Sequence, residues 1–154
     1  MSRFEIDIQC EVKVDSTLIT AARMAVEATL KHQNVSKPTS VTLMLADDAR
    51  LQQLNRDFLG FDEPTDVLSF PSGESWPGSA AYLGDIAVSI PKAKSQAVLA
   101  GHDLLSELCV LTVHGVLHLL DYDHASPVET RRMWSVQEEI LGGLDIEYTG
   151  PDPH

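Results

Sequence analysis

Phe4, Ile6, Ile8, Cys10, Val12 and Val14 alternate with polar neighbours, the period-two signature of a half-buried strand. Asp15 follows as an N-cap for a helix running to about Lys31. Leu18, Ala21, Ala22, Ala25, Ala28 and Thr29 recur at helical spacing and make its packed face. A connection over 34–40, with Pro38, leads to a second strand over Val41–Ala46. Asp47 or Asp48 caps a short helix with Leu51 and Leu54 inward, and Asn55, Arg56 and Asp57 near its end. A turn-rich loop over 60–66 feeds the short strand Val67–Phe70, stopped by Pro71. The stretch 72–80, rich in Gly and Ser, reads as an exposed connection or a lid. Tyr82–Ile90 is a fourth strand. Pro91 opens a helix through Ala100, and Gly101 suits its end. Ser126-Pro127-Val128-Glu129 is a capping box before a last helix that stops at Gly142-Gly143; 149–154 is a loose tail.

Between these lies the most apolar stretch of the chain. Leu104 to Leu120 holds almost only apolar residues, with Gly115 its one glycine, which predicts a buried helix capped by Asp103. His114 and His118 sit on it. Four helical residues advance about 400°, so His118 lies only ~40° around from His114 and ~6 Å along the axis. Both rings can face one atom. Asp121 and Asp123 end the helical pattern, and a turn there can bring back His124. Three imidazoles with a fourth position left to water make the donor set of a catalytic zinc site. The spacing of +4 and +10 is shared with the H-E-x-x-H-x-x-G-x-x-H metalloproteases, whose general base follows the first His. Here that place is Gly115, so a peptidase built this way lacks the group that activates its water.

Strand, helix, strand, helix, two strands and three helices predict a mixed α/β (α+β) fold: a small four-stranded mixed sheet covered by about five helices. The metal site falls on a buried helix and the turn after it. A length of 154 residues fits one domain over 1–154. No 18-residue apolar run exists, and the first residues hold no signal-peptide core, so the expectation is a cytoplasmic protein without a membrane span. Two cysteines fit a reducing compartment; Cys109, ~140° around the helix from His114, reads as core. The net charge of −12 opposes broad polyanion binding. Acting on RNA would then need a local patch, a divalent cation and a partner's help.

Asp85 interrupts the apolar run of the fourth strand, where a carboxylate needs a partner. It is a candidate to orient a ligand His or hold a water; the plain alternative is a strand-end Asp bonding nearby backbone. Asp123 is a candidate to fix a ligand tautomer, or simply a turn residue. Thr65 and Asp66 shape the loop beside the site, or only a turn. Arg56, Lys92, Lys94, Arg131 and Arg132 are candidates for phosphate contact, each weighed against an ordinary solvated charge. Glu107 is ~10 Å from His114 along the helix, too far to share its ligand. His32, His102 and His154 carry no assignment.

The stretch His114-Gly115-Val116-Leu117-His118-Leu119-Leu120-Asp121-Tyr122-Asp123-His124 resembles the H-G-x-L-H-L-x-G-Y-D-H signature of the YbeY rRNA-maturation endoribonucleases. Leu54-Asn55, Pro64 to Pro71, and Leu83-Gly84-Asp85-Ile86 look like that family's other blocks in the same order. Met133-Trp134 and Gln137-Glu138 fit its final helix. The resemblance runs from about residue 41 to 141. It implies a single-strand-specific, metal-dependent endoribonuclease acting in 16S rRNA 3′-end maturation and ribosome quality control, with the small ribosomal subunit or its proteins as partner. It also implies one zinc ion on His114, His118 and His124, with His114 in the catalytic centre.

Two departures stand out. The signature Gly is Asp121 here, at a turn where Gly serves a left-handed conformation that Asp tolerates at modest strain. The family's Arg after the aromatic that follows Leu-Asn is replaced by Leu59, leaving Arg56 as a stand-in for phosphate contact. The expected chemistry is metal-assisted phosphodiester cleavage, with Asp85 positioning a water or ligand. The alternatives are a ribosome-assembly factor with a mainly structural metal, or a metal-dependent hydrolase of another substrate.

Overall fold

The structure is a computed structural model that describes residues 4–72, 81–123 and 125–146. Four strands form one sheet: β1 (Phe4–Cys10), β2 (Thr39–Ala46), β3 (Val67–Pro71) and β4 (Ala81–Ser89). Their order is β1-β2-β4-β3. β1, β2 and β4 are parallel, whereas β3 pairs antiparallel with β4 and forms one edge. Parallel neighbours need long crossovers: α1 (Ser16–His32) links β1 to β2, and α2 (Asp48–Leu54) with β3 lies between β2 and β4. α3 (Ile90–Ala100), α4 (Leu104–Leu119) and α5 (Pro127–Gly143) follow β4. The expected architecture of a mixed four-stranded sheet with five helices is the one observed.

Boundaries follow local chemistry. β1 ends at Cys10, short of the alternation through Val14, and its pairing continues only as Glu11 N–H to Leu45 O. Four helices begin on a side-chain cap. Asp47, Ser89, Asp103 and Ser126 accept from the backbone N–H of Arg50, Lys92, Ser106 and Glu129, satisfying groups that a helix start leaves unpaired. Hydrogen bonds from Ser106 hold the Asp103 carboxyl below its ordinary range. Asp15 sits at the N-cap of α1 in extended conformation but accepts no such bond. The pattern missed a π-helical turn at Asn55–Leu59, continuing α2. Asn55 is buried there and donates to Glu63 O, closing the loop that the sequence places over 60–66.

α4 is the centre of the molecule. Its Leu108, Leu111, Val116 and Leu119 join Leu43, Ile86 and Val88 of the sheet. Its Val110, Val113 and Leu117 meet Met133, Ile140 and Leu141 of α5, with Ala25 of α1. A helix apolar all round is one covered all round. No single described helix is long and apolar enough to cross a membrane. Cys109 lies in this core, and burial pushes its thiol up to about 11, which keeps it protonated and a poor ligand. The corner between α3 and α4 is held by His102 and Glu107, both nearly excluded from water and 2.7 Å apart. The Glu107 carboxylate therefore belongs to the corner.

α4 lies so close to the sheet that position 115 has no room for a side chain. A Cβ on Gly115 would stand 2.8 Å from Ile86 Cγ2 and 3.3 Å from Ser69 Oγ. The absence of a Glu after His114 thus has a packing reason as well as a chemical consequence. A second tight glycine sets the edge of the sheet. Gly84 has φ +147°, and a Cβ there would be 2.4 Å from Phe70 O on the paired strand. Next to it β4 takes an extra residue, since Ser40 pairs with Tyr82 and Val41 with Gly84. Gly84→Ala is expected to cost more than about 3 kcal/mol, combining a strained φ with a backbone clash. For a chain of this size that is a fall in melting temperature on the order of 6–12 °C, read by thermal circular dichroism. A shift under a degree would contradict the close approach.

Candidate metal centre

The histidines of α4 meet as helical spacing requires. His114 Nε2 and His118 Nε2 are 3.0 Å apart, with the rings edge to face at 77° and centroids 4.5 Å apart. His114 is buried and His118 half-buried. The other nitrogen of His114, Nδ1, lies 2.8 Å from Oε1 of Gln137 on α5. An amide oxygen only accepts, so Nδ1 is the donor, and in the neutral form of the ring the lone pair lies at Nε2. Gln137 is fully buried on the apolar stripe Met133, Gln137, Ile140 and Leu141. A wholly buried amide on such a stripe was the available signal of its role. From the sequence alone Gln137 is legible only as part of the last helix.

The donor set fits a metal. Two nitrogens held at 2.0–2.1 Å by one tetrahedral zinc stand about 3.3 Å apart, close to what is found. The bond from Nδ1 to a buried amide oxygen is the outer support that metal-bound histidines require. His124, the third expected ligand, falls outside the described residues, as do most of the 72–80 loop and the 149–154 tail. Among the described residues no group of three metal-binding side chains converges.

α4 closes with a turn that aims the chain onward toward position 124. Tyr122 N–H reaches Leu117 O at 2.9 Å and Asp121 N–H reaches His118 O at 3.1 Å. This paired pattern, with the residue after the C-cap left-handed, is a Schellman motif. Asp121 is that residue, at φ 72°, as the resemblance implied. Tyr122 packs against the apolar cluster that includes Leu117.

The two imidazoles open onto a cavity of about 430 Å³ under the edge strand. Its wall is Thr65, Asp66, Val67, Leu68, Ser69 and Pro71. Thr65 and Asp66 therefore do face the site and are more than a turn. Asp66 accepts from Val67 N–H at 2.8 Å and from Gln96 Nε2 at 3.2 Å, fixing the start of β3 to α3. Ser69 Oγ donates to Gly115 O at 3.0 Å and pins the strand to α4. No Lys or Arg is among these lining residues.

Two sequence candidates stand elsewhere. Asp85 is on the opposite face of the sheet, because β4 alternates and Ile86 is the residue turned toward Gly115. Its carboxylate accepts from the Tyr82 hydroxyl, and burial, then this carboxylate, raise the Tyr82 pKa. Asp85 is thus separated from the histidines by the sheet, and the placement gives it no hold on their water or tautomer. Arg56 lies in the π-helical turn, outside the cavity lining, paired with Asp57 at 3.1 Å and Asp62 at 3.9 Å. It makes no phosphate site at the histidines. Asp123, Arg132 and Tyr122 line a separate hollow, where the Arg132 guanidinium stands 5.1 Å over the Tyr122 ring.

A mixed sheet whose covering helix turns paired imidazoles onto an open cavity defines an α/β protein with a histidine-lined site. The family model described as "Endoribonuclease YbeY" matches residues 5–145. The Endoribonuclease YbeY of Roseiflexus sp. is 44% identical over 140 residues, spanning 86% of each chain. That of Moorella thermoacetica is 40% identical over 146 residues, covering 90% of this chain and 94% of its own. The solution structure of TM1509 from Thermotoga maritima superposes with a TM-score of 0.60 at 26% identity, over 96% of this chain and 97% of that one. The chain belongs to the YbeY endoribonuclease family.

Asp121→Gly tests the turn. It removes left-handed strain worth about 1–2 kcal/mol and returns part of that as unfolded-chain entropy. The variant is expected to melt roughly 1–4 °C higher. A lower melting temperature would show that the Asp121 side chain contributes to the fold.

Proposed function

We propose that this protein is a zinc-dependent endoribonuclease of single-stranded RNA, with one ion held by His114, His118 and His124. The observation that carries the reading is the convergence of two Nε2 atoms 3.0 Å apart, one with its tautomer set by Gln137. When bound, zinc supplies a Lewis-acid charge for a phosphoryl oxygen or a water. That charge is needed here, since the cavity lining holds no Lys or Arg and the chain carries −12 overall. Val67, Leu68 and Pro71 give one side of the cavity an apolar wall that limits water. Gly115 leaves no carboxylate next to His114, which supports phosphodiester over peptide hydrolysis. Following the family resemblance, the substrate is the 3′ end of 16S rRNA, in maturation and ribosome quality control. The partner is the small ribosomal subunit and the compartment is the cytoplasm, where the free cysteines Cys10 and Cys109 stay reduced. The domain spans 1–154.

A ribosome-assembly factor with a structural metal is the second reading. What favours it is the place of Arg56, tied to two carboxylates away from the cavity. His114→Ala separates the two. Under the enzymatic reading the variant keeps its circular dichroism spectrum but loses zinc and cleavage of a single-stranded oligonucleotide. A variant that unfolds supports the structural metal. Gln137→Leu is expected to weaken zinc 10- to 100-fold in competition with a chromophoric chelator, a range set by outer-shell partners generally. Unchanged zinc affinity would remove Gln137 from the site.

A further inference from the structure

The face of the sheet turned away from α4 carries a second cavity, of about 470 Å³, within the range of small-ligand sites. Phe58, Phe70, Tyr82, Asp85, Thr42 and Gln9 are among its walls. Phe58 and Phe70 meet edge to face with centroids 5.6 Å apart, yet Phe58 remains 69% exposed. An aromatic ring held in place by a second ring and left in water is a stacking platform. Beside it the Tyr82 hydroxyl donates to Asp85 and contacts Thr42 Oγ1, so the polar floor of the groove presents acceptors. The groove also shares a strand with the histidine cavity. Along β3, Ser69 faces α4 and Phe70 faces the groove, and β3 is an edge. A strand of RNA has only to round that edge to touch both.

Resting on the endoribonuclease reading above, we propose that this groove is a subsite for one unstacked base of the RNA, stacked on Phe58 with an amino edge against Asp85. The charge decides which part of the nucleotide enters. Carboxylates repel phosphate, and no Lys or Arg is among the described residues lining the groove, so affinity comes from the base. A carboxylate only accepts. It takes a hydrogen bond from an exocyclic amino group such as cytosine N4, whereas uracil turns a carbonyl oxygen toward it at that position. Asp85, set apart from the metal, thereby gains a use in base selection. For an acidic protein, stacking in place of phosphate neutralisation also means weak dependence on salt.

Binding of 5′-CMP and 5′-UMP to the full-length protein tests this by amide chemical-shift mapping. The two ligands differ at the base edge, and neither has a phosphodiester to cleave, so failure of the catalytic reading leaves the result unchanged. The expected result is shifts at Phe58, Phe70, Tyr82 and Asp85, with CMP about tenfold tighter than UMP. Phe58→Ala, at an exposed ring, weakens both nucleotides roughly tenfold. Asp85→Asn, whose amide both donates and accepts, erases the difference between them. Shifts confined to other residues, or equal binding by Phe58→Ala, overturn the proposal and leave the groove to a protein partner.

Discussion

The hydrogen bond between His114 Nδ1 and the Gln137 amide is the contact on which the site depends. It joins consecutive helices across 23 residues, with Gln137 wholly buried and His114 nearly so. A buried amide without its partner costs about 1–3 kcal/mol, so α4 and α5 are held in one register. The same bond decides on which nitrogen His114 keeps its proton. With Nδ1 engaged, the lone pair at Nε2 points at His118 and into the cavity. Packing and chemistry are therefore set by one interaction.

Close approach of α4 to the sheet is the complementary constraint. Gly115 lets the helix settle on Ile86, and Ser69 reaches Gly115 O from the edge strand. The edge strand in turn forms the cavity wall, tied at its start by Asp66 to Gln96 of α3. Because successive strand residues face opposite ways, β3 serves two surfaces. One carries the imidazoles and the other carries Phe70 beside Asp85.

Much of this was legible in the chain. Period-two and helical patterns, caps at Asp47, Asp103 and Ser126, and Pro91 and Pro127 in the first turns of their helices all state local preferences that the fold keeps. His114 and His118 were legible because four helical residues fix an angle. Asp85 was misplaced because an acid in an apolar strand announces that it needs a partner without saying on which face. Its face followed only from the register that turns Ile86 toward Gly115. Arg56 was misplaced for a similar reason: the π-helical turn has no apolar period to mark it, and its neighbours Asp57 and Asp62 claim the guanidinium. Gln137 was overlooked because a polar residue on an apolar stripe gains meaning only when the opposing helix is known.

The most direct measurement of the central claim is X-ray absorption at the zinc edge on protein loaded with one equivalent of the metal. The expected spectrum has a first shell of light atoms near 2.0–2.1 Å, with the outer scattering of several imidazole rings and no sulfur. A sulfur shell near 2.3 Å, or a spectrum of hydrated zinc free of imidazole, would contradict it.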